Sequence, residues 1–363
     1  MKTGILTLAF NNNYGGILQA YALQTVLRNR GREVILIKES PKLPLWKMPF
    51  SYSKRILDKY ILRKKEAIGV FCEQKRKQLD STIYQNIQKF IDEYIRVENM
   101  AYVKKNKKDF EAIVVGSDQI WRPKYYRYIE RAYLSFAQKW KIKRIAYAVS
   151  FGTDQWEYTH KQAQNCKKLV QKFDAVSVRE KSGIDLCKKH FDINAQQVLD
   201  PTLLLDVSHY ISLIEKGKVE KSKGNLFVYV LDENEDTKTI EQQISSAFDY
   251  TPFDRYTDNK KAIKIEAWLR SFYDAEFILT DSFHACAFSI LFNKPFVVYG
   301  NVARGLSRID SLLQLFHLND RIVLSKTTHL TPILNTPIPW KEINEILKEQ
   351  RKNSLQFLTQ AFK

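Results

Sequence analysis

The chain is poor in cysteine, with four among 363 residues: Cys72, Cys166, Cys187 and Cys286. None forms a CxxC pair, and no Cys/His cluster has zinc spacing. A disulfide scaffold and a structural metal are therefore not expected, and a reducing cytoplasmic setting is. A membrane-spanning run is also lacking, because Asp281, His284 and Asn293 interrupt the best candidate. No secretory leader is visible, since Met1–Leu8 reads as a strand running straight into a glycine turn. Walker, GxGxxG, HExxH and DxD motifs and a Ser-His-Asp order are missing too. The expectation is chemistry with no metal and no resident cofactor.

What is present suits packed cores. Hydrophobic residues make up 44% and aromatics 13% of a length sufficient for two domains. The formal net charge of +18 predicts an anionic partner: nucleic acid, an anionic membrane surface, or a phosphorylated substrate.

The first half alternates strands and helices. Gly4–Leu8 reads as a buried strand, Asn11 to Gly16 as a polar glycine turn, and Ile17–Asn29 as a helix stopped by Gly31. Glu33–Ile37 is the next strand, which makes a right-handed βαβ unit in a parallel sheet. Four later strands end in short polar or glycine-containing turns: Gly116 to Gln119, Ser150 to Gly152, Arg179-Glu180 and Asp200 to Thr202. A row of such turns along one sheet edge is a cleft wall. Asp206 to Lys223 reads as a domain boundary. Alternation restarts at Leu226, and the chain closes with a helix over Trp340–Phe362. The domains expected are 1–205, with an acceptor role, and 206–339, with a donor role; helix 340–363 packs back on the first. Residues 41–80 break the pattern, with eleven basic against four acidic residues and interleaved aromatics. They read either as a basic amphipathic helix on an anionic membrane or as a solvated helix.

The strongest candidate site is Thr280-Asp281-Ser282-Phe283-His284, between the apolar runs Ala275–Leu279 and Ala285–Phe292. Ser282 and His284 then stand at a strand's carboxyl end and a helix's amino end, where amides and dipole favour an anion. Histidine there binds phosphate or carboxylate, or moves a proton. The plainer reading is an N-cap, Asp281 or Ser282, beside a structural histidine. Asn13, Tyr14 and Gly15 sit in a turn that brings backbone close to a ligand, or in a tight βα turn alone. Asp118, Gln119 and Trp121 place a carboxylate, an amide and an indole at one strand end, a means of holding a pyranose with Asp118 as general base. Asp118 as a helix N-cap is the alternative. Arg179 offers a bidentate guanidinium for an anion, or pairs with Glu180. Arg304 and Arg308 add positive charge to the cleft mouth or are merely solvated.

Together these segments resemble the polysaccharide pyruvyl transferase family. The resemblance runs from Gly4-Ile5-Leu6-Thr7 and Asn12 to Gln24 through Val115 to Trp121, Ser150-Phe151-Gly152 and Val176 to Glu180. It continues through Leu199 to Leu204 and Leu279 to His284 to Lys294-Pro295-Phe296 and Ser307-Arg308. Ala285 stands where the family commonly has glycine. The resemblance implies two Rossmann-like α/β domains facing across a GT-B-type cleft. It implies transfer of a pyruvyl group from phosphoenolpyruvate to a sugar hydroxyl pair, as a ketal, on a surface polysaccharide precursor; the basic stretch 41–80 adds the expectation that this precursor is lipid-linked at the cytoplasmic membrane face. By resemblance Arg179 and His284 contact the donor. A nucleotide-sugar glycosyltransferase and a basic nucleic-acid-binding module are the competing readings; the first predicts UDP or GDP near His284, the second salt-sensitive binding.

Overall fold

The computed structural model describes residues 1–8, 10, 13–38, 85–253, 263–300, 306–328 and 330–363. Asn11, Asn12, Arg304, Cys72 and the basic stretch 41–80 lie outside the described residues.

Two parallel sheets organise the chain. The first has seven strands: β1 Lys2–Leu6, β2 Glu33–Lys38, β3 Val97–Asn99, β4 Phe110–Gly116, β5 Lys143–Val149, β6 Ala175–Val178 and β7 Gln196–Gln197. Their order is β3-β2-β1-β4-β5-β6-β7. The second has five: β8 Leu226–Tyr229, β9 Pro252–Phe253, β10 Phe277–Thr280, β11 Phe296–Tyr299 and β12 Ile322–Val323, ordered β12-β11-β10-β8-β9. The central strands are buried along their length, as near-continuous Val/Ile/Leu runs require when helices cover both sheet faces.

Both halves are doubly wound, Rossmann-like layers, yet they differ in strand order. The first follows the dinucleotide-fold order and reverses direction between β1 and β4. The second follows the flavodoxin-like order and reverses between β8 and β10. Ligands bind in the crevice that such a reversal opens at the strand carboxyl ends. The two crevices face one another, giving the GT-B-type cleft.

One helix ties the halves together. Tyr14–Arg28 is buried on most sides and belongs to an apolar cluster that runs through both halves. A helix apolar almost all round cannot lie at a surface. Tyr14 stacks on Trp268 at 5.6 Å between ring centroids, and its hydroxyl donates to the Ile263 carbonyl at 3.3 Å. Tyr14 is therefore a seam residue, 1% exposed, and the expected substrate contact is corrected by that burial. The last helix, Trp340–Ala361, returns to the first sheet. Ser354 accepts from the Leu199 amide, Arg351 donates to the Leu203 and Leu205 carbonyls, and Phe357 packs on Tyr147.

Candidate active site

Two helix amino ends converge where the crevices meet. Helix Tyr14–Arg28 comes from the first half, and helix Phe283–Leu291 follows β10 in the second. Gly15 makes their approach possible: a Cβ there would lie 2.1 Å from His284 Cγ. Only a residue without a side chain lets the imidazole sit against this backbone. The second helix has no acidic residue in its first turn, and Ser282, its N-cap, makes no side-chain capping bond. The Ser282 amide donates instead to Thr280 Oγ1. Asp281 is likewise not a cap; its carboxylate accepts the Leu231 and Asp232 amides and fixes the loop after β8. The first-turn amides and the dipole are thus left for an anion.

These ends border a cavity of about 330 Å³. Asn13, Gly15, Asp118 and Gln119 line it from the first half, and Ser282, His284 and Arg308 from the second. Sequence reasoning missed four further wall residues, Tyr125, Tyr229, Leu231 and Trp268. A neighbouring cavity of about 420 Å³ shares Asn13, Asp118, Gln119 and Tyr125.

His284 is buried, and its Nε2 has no hydrogen-bond partner among the described residues. Asp200 Oδ2 lies 3.8 Å from that nitrogen. Burial drives the imidazole pKa below its ordinary value, outweighing the pull of Asp200 and Asp118. The ring is therefore neutral at pH 7. Arg308 is partly buried, and its guanidinium pKa is drawn down to about 10, by burial first and by Arg179 second.

Arg179 occupies a different setting from the one expected. Its side chain is 1% exposed and does not line the cavity. It lies beneath, with its guanidinium 4.1 Å from the Phe283 ring centroid. Three carboxylates surround it: Asp200 at 2.7 Å, Asp118 at 3.5 Å and Glu180 at 4.0 Å. Burial opposes its charge, but Asp200, Asp118 and Glu180 outweigh burial and hold the guanidinium above its ordinary pKa. The anticipated direct clamp is thus a buried charge that positions acids. Its Nε and Nη2 still lack hydrogen-bond partners among the described residues.

The acids divide by what they accept. Asp200 takes the Thr202 amide and hydroxyl on Oδ1, and Ser117 Oγ and Arg179 Nη1 on Oδ2. Burial would push its carboxyl up, but Arg179 and then His284 hold it below the usual carboxylate range. Glu180 goes the other way, because burial outweighs Arg179, and its Oε1 accepts the Phe151 amide. Asp118 alone of these acids borders the cavity. It and Ser117 hold positive φ, 57° and 38°, a left-handed conformation costing roughly 1–2 kcal/mol per residue. The Ser150 and Ile120 amides pin the Asp118 carbonyl, and Asn13 Nδ2 donates to Asp118 Oδ2 at 3.2 Å. Asn13 also caps its helix by accepting the Gly16 amide, so both ends of its amide have protein partners.

Trp121 requires correction. It is fully buried, stacks on Tyr133 and donates Nε1 to the Ala132 carbonyl, so no sugar can reach its face. The exposed aromatic at this edge is Tyr125, four residues on and 55% exposed. A sequence signal existed, since Arg122-Pro123 turns the chain outward, whereas Trp121 continues the apolar run from Ile120.

Among the described residues no helix is long and apolar enough to cross a membrane. Fold and site together define a two-half α/β protein with an anion-ready cleft between its strand ends. The family model described as polysaccharide pyruvyl transferase matches residues 13–301. The chain belongs to that family. The match covers every cavity residue named above except Arg308. A search of curated proteins finds no match. Among solved structures, the chain is similar to the UDP-GlcNAc 2-epimerase of Methanocaldococcus jannaschii, solved with UDP-GlcNAc and UDP. That likeness has a TM-score of 0.46 at 13% identity, over 96% of this chain and 99% of the other. It is similar also to MurG of Acinetobacter baumannii, with a TM-score of 0.43 at 10% identity, over 99% and 98%.

Proposed function

We propose that the protein moves the pyruvyl group of phosphoenolpyruvate onto a hydroxyl pair of a sugar precursor, as a ketal. The observation that carries this reading is the gathering of anion-binding groups in one cavity. His284 Nε2 has no partner, the first turn of helix Phe283–Leu291 is uncapped, and Arg308 borders the same space. A compact ligand with a phosphate and a carboxylate can engage all three.

The proposed steps balance. C3 of the enol takes a proton, which makes C2 oxocarbenium-like. One sugar hydroxyl adds to C2. The second hydroxyl displaces phosphate and closes the ring. Of the two hydroxyl protons, one ends on C3, forming the methyl group, and the other leaves with phosphate. Asp118 faces the cavity as an acceptor-only carboxylate and takes the proton of the attacking hydroxyl. His284, neutral before the donor arrives, hydrogen-bonds the phosphate and carries the proton that departs with it. Arg179 stays below, orienting Asp118 and adding positive potential to the cavity floor.

Calorimetry with phosphoenolpyruvate tests this. Wild type binds, and His284→Ala and Arg308→Ala each weaken binding by about tenfold or more, the loss of one charge-assisted hydrogen bond. Tight binding of UDP or GDP in place of phosphoenolpyruvate would instead establish a nucleotide-sugar glycosyltransferase.

A further inference from the structure

The second cavity is not lined by His284, Ser282 or Arg308, and its wall is built in an unusual way. Tyr125 borders both cavities and is 55% exposed. One face of its ring is covered by the Arg122 guanidinium, 4.7 Å from the ring centroid. Arg122 is itself immobilised. It donates Nε and Nη2 to the two Glu157 carboxylate oxygens, each at 3.0 Å, and Nη1 to Gln119 Oε1 at 3.0 Å. The bidentate pair is buried at about a tenth exposure on both sides, so the fork is rigid. Gln119 is fixed in turn by Gly152, where a Cβ would lie 2.2 Å from Gln119 Oε1. Its carbonyl is thus committed, and its NH2 group has no partner among the described residues.

We infer that this second cavity is the acceptor subsite, and that Tyr125 is the platform on which a pyranose ring lies. The inference rests on the reading of the first cavity as the donor site. A pyranose has a C–H face and a rim of hydroxyls. An aromatic face held flat from behind takes the first, at little cost in side-chain freedom. The Gln119 NH2 group and the Asp118 carboxylate take the second. Asp118 and Gln119 border both cavities, so a sugar on Tyr125 presents its hydroxyls at the junction with the donor. Hydroxyls so placed reach both the carboxylate and the donor carbon. The ligand class is a hexopyranoside with two neighbouring or 1,3-related free hydroxyls.

Saturation-transfer NMR with the methyl glycosides of glucose, galactose and mannose tests the subsite. Wild type transfers saturation to at least one of them. Tyr125→Ala reduces that binding by about fivefold or more, the typical worth of an aromatic contact. Tyr125→Phe keeps it, because the ring face and not the hydroxyl is the contact. Tyr125→Ala weakens phosphoenolpyruvate binding by less than it weakens sugar binding, since Tyr125 borders the donor cavity as well. The inference is overturned by wild type binding none of the three sugars, or by Tyr125→Ala binding them unchanged. It is equally overturned by Tyr125→Phe losing binding as Tyr125→Ala does, or by Tyr125→Ala losing phosphoenolpyruvate as strongly as sugar. Sugar binding that needs Tyr125, in a protein that does not bind phosphoenolpyruvate, refutes the donor reading and leaves the subsite standing.

Discussion

Asp200 and His284 lie 3.8 Å apart across the seam between the halves, and they stand for two kinds of site. On the first-half side, Asp200 accepts four hydrogen bonds and Arg179 is ringed by carboxylates. On the second-half side, His284 Nε2 has no partner and its helix is uncapped. Both regions are buried and both hold ionisable groups. The first is charge-matched by its own protein: Asp200 is fully bonded, and Arg179, although its Nε and Nη2 make no hydrogen bond, has a carboxylate within 4.0 Å of each, which makes this region a scaffold. The second carries unmet hydrogen-bonding capacity, which natural interiors tolerate chiefly where a ligand completes it. Charge and burial alone do not separate the two regions; the inventory of partners does.

The comparison breaks most visibly at Asp200. Asp200→Ala leaves Arg179 buried beside acids that reach it only at 3.5 and 4.0 Å. Removing one partner of a buried, hydrogen-bonded ion pair costs about 3–5 kcal/mol. Denaturant titration should show a loss in that range. A loss below 1 kcal/mol would mean that the cluster is not the scaffold described.

A smaller effect separates site from scaffold in the opposite sense. Gly15→Ala puts a methyl group 2.1 Å from His284 Cγ and must displace the ring. Alanine otherwise suits this first turn of a helix better than glycine. Ketal formation should fall about 10²-fold, the cost of misplacing a reacting group by an ångström. Stability should fall by less, about 1–2 kcal/mol, the overpacking cost that the better helix propensity of alanine partly offsets. Equal losses of activity and stability would make Gly15 part of the packing and not of the site. Steady-state kinetics beside a melting curve decides between them.

The sequence made the architecture legible because periodicity and turns carry it. Glu33–Ile37 and Arg144–Val149 fall within a residue of the observed β2 and β5. The edge strands β3, β9 and β12 were not expected, because two or three residues have no period to read. Ser282, His284, Asp118, Gln119 and Gly15 were legible as residues at strand ends, and they converge on the cavity. Arg179, Trp121 and Tyr14 share the same local signals but point elsewhere. A strand-end position fixes where the backbone is. Which face a side chain takes depends on packing from distant segments: Phe283 and Asp200 against Arg179, Tyr133 against Trp121, Trp268 against Tyr14. Tyr125 escaped notice because the Arg122-Pro123 turn marks a break in the apolar run without saying which side chain after it stays exposed.

The finest test of the contrast counts protons. His284 is neutral in the free site because burial lowers its pKa below the ordinary histidine value. A phosphate dianion docking beside it favours the imidazolium and raises that pKa. Between the free and the bound value, donor binding must take up a fraction of a proton, and affinity must strengthen as pH falls through the bound value. Asp200 contributes nothing to this uptake, since its carboxyl is held below the ordinary range and stays ionised in both states. Calorimetry of phosphoenolpyruvate at pH 7.5, in two buffers of different ionisation enthalpy, reads the uptake directly. Wild type should take up protons and His284→Gln should take up none. Uptake that persists in His284→Gln would assign the proton to another group, and Glu180, whose carboxyl is pushed up by burial, would be the first to examine. That result would erase the line drawn between the two regions, because a member of the scaffold would then be titrating with the ligand.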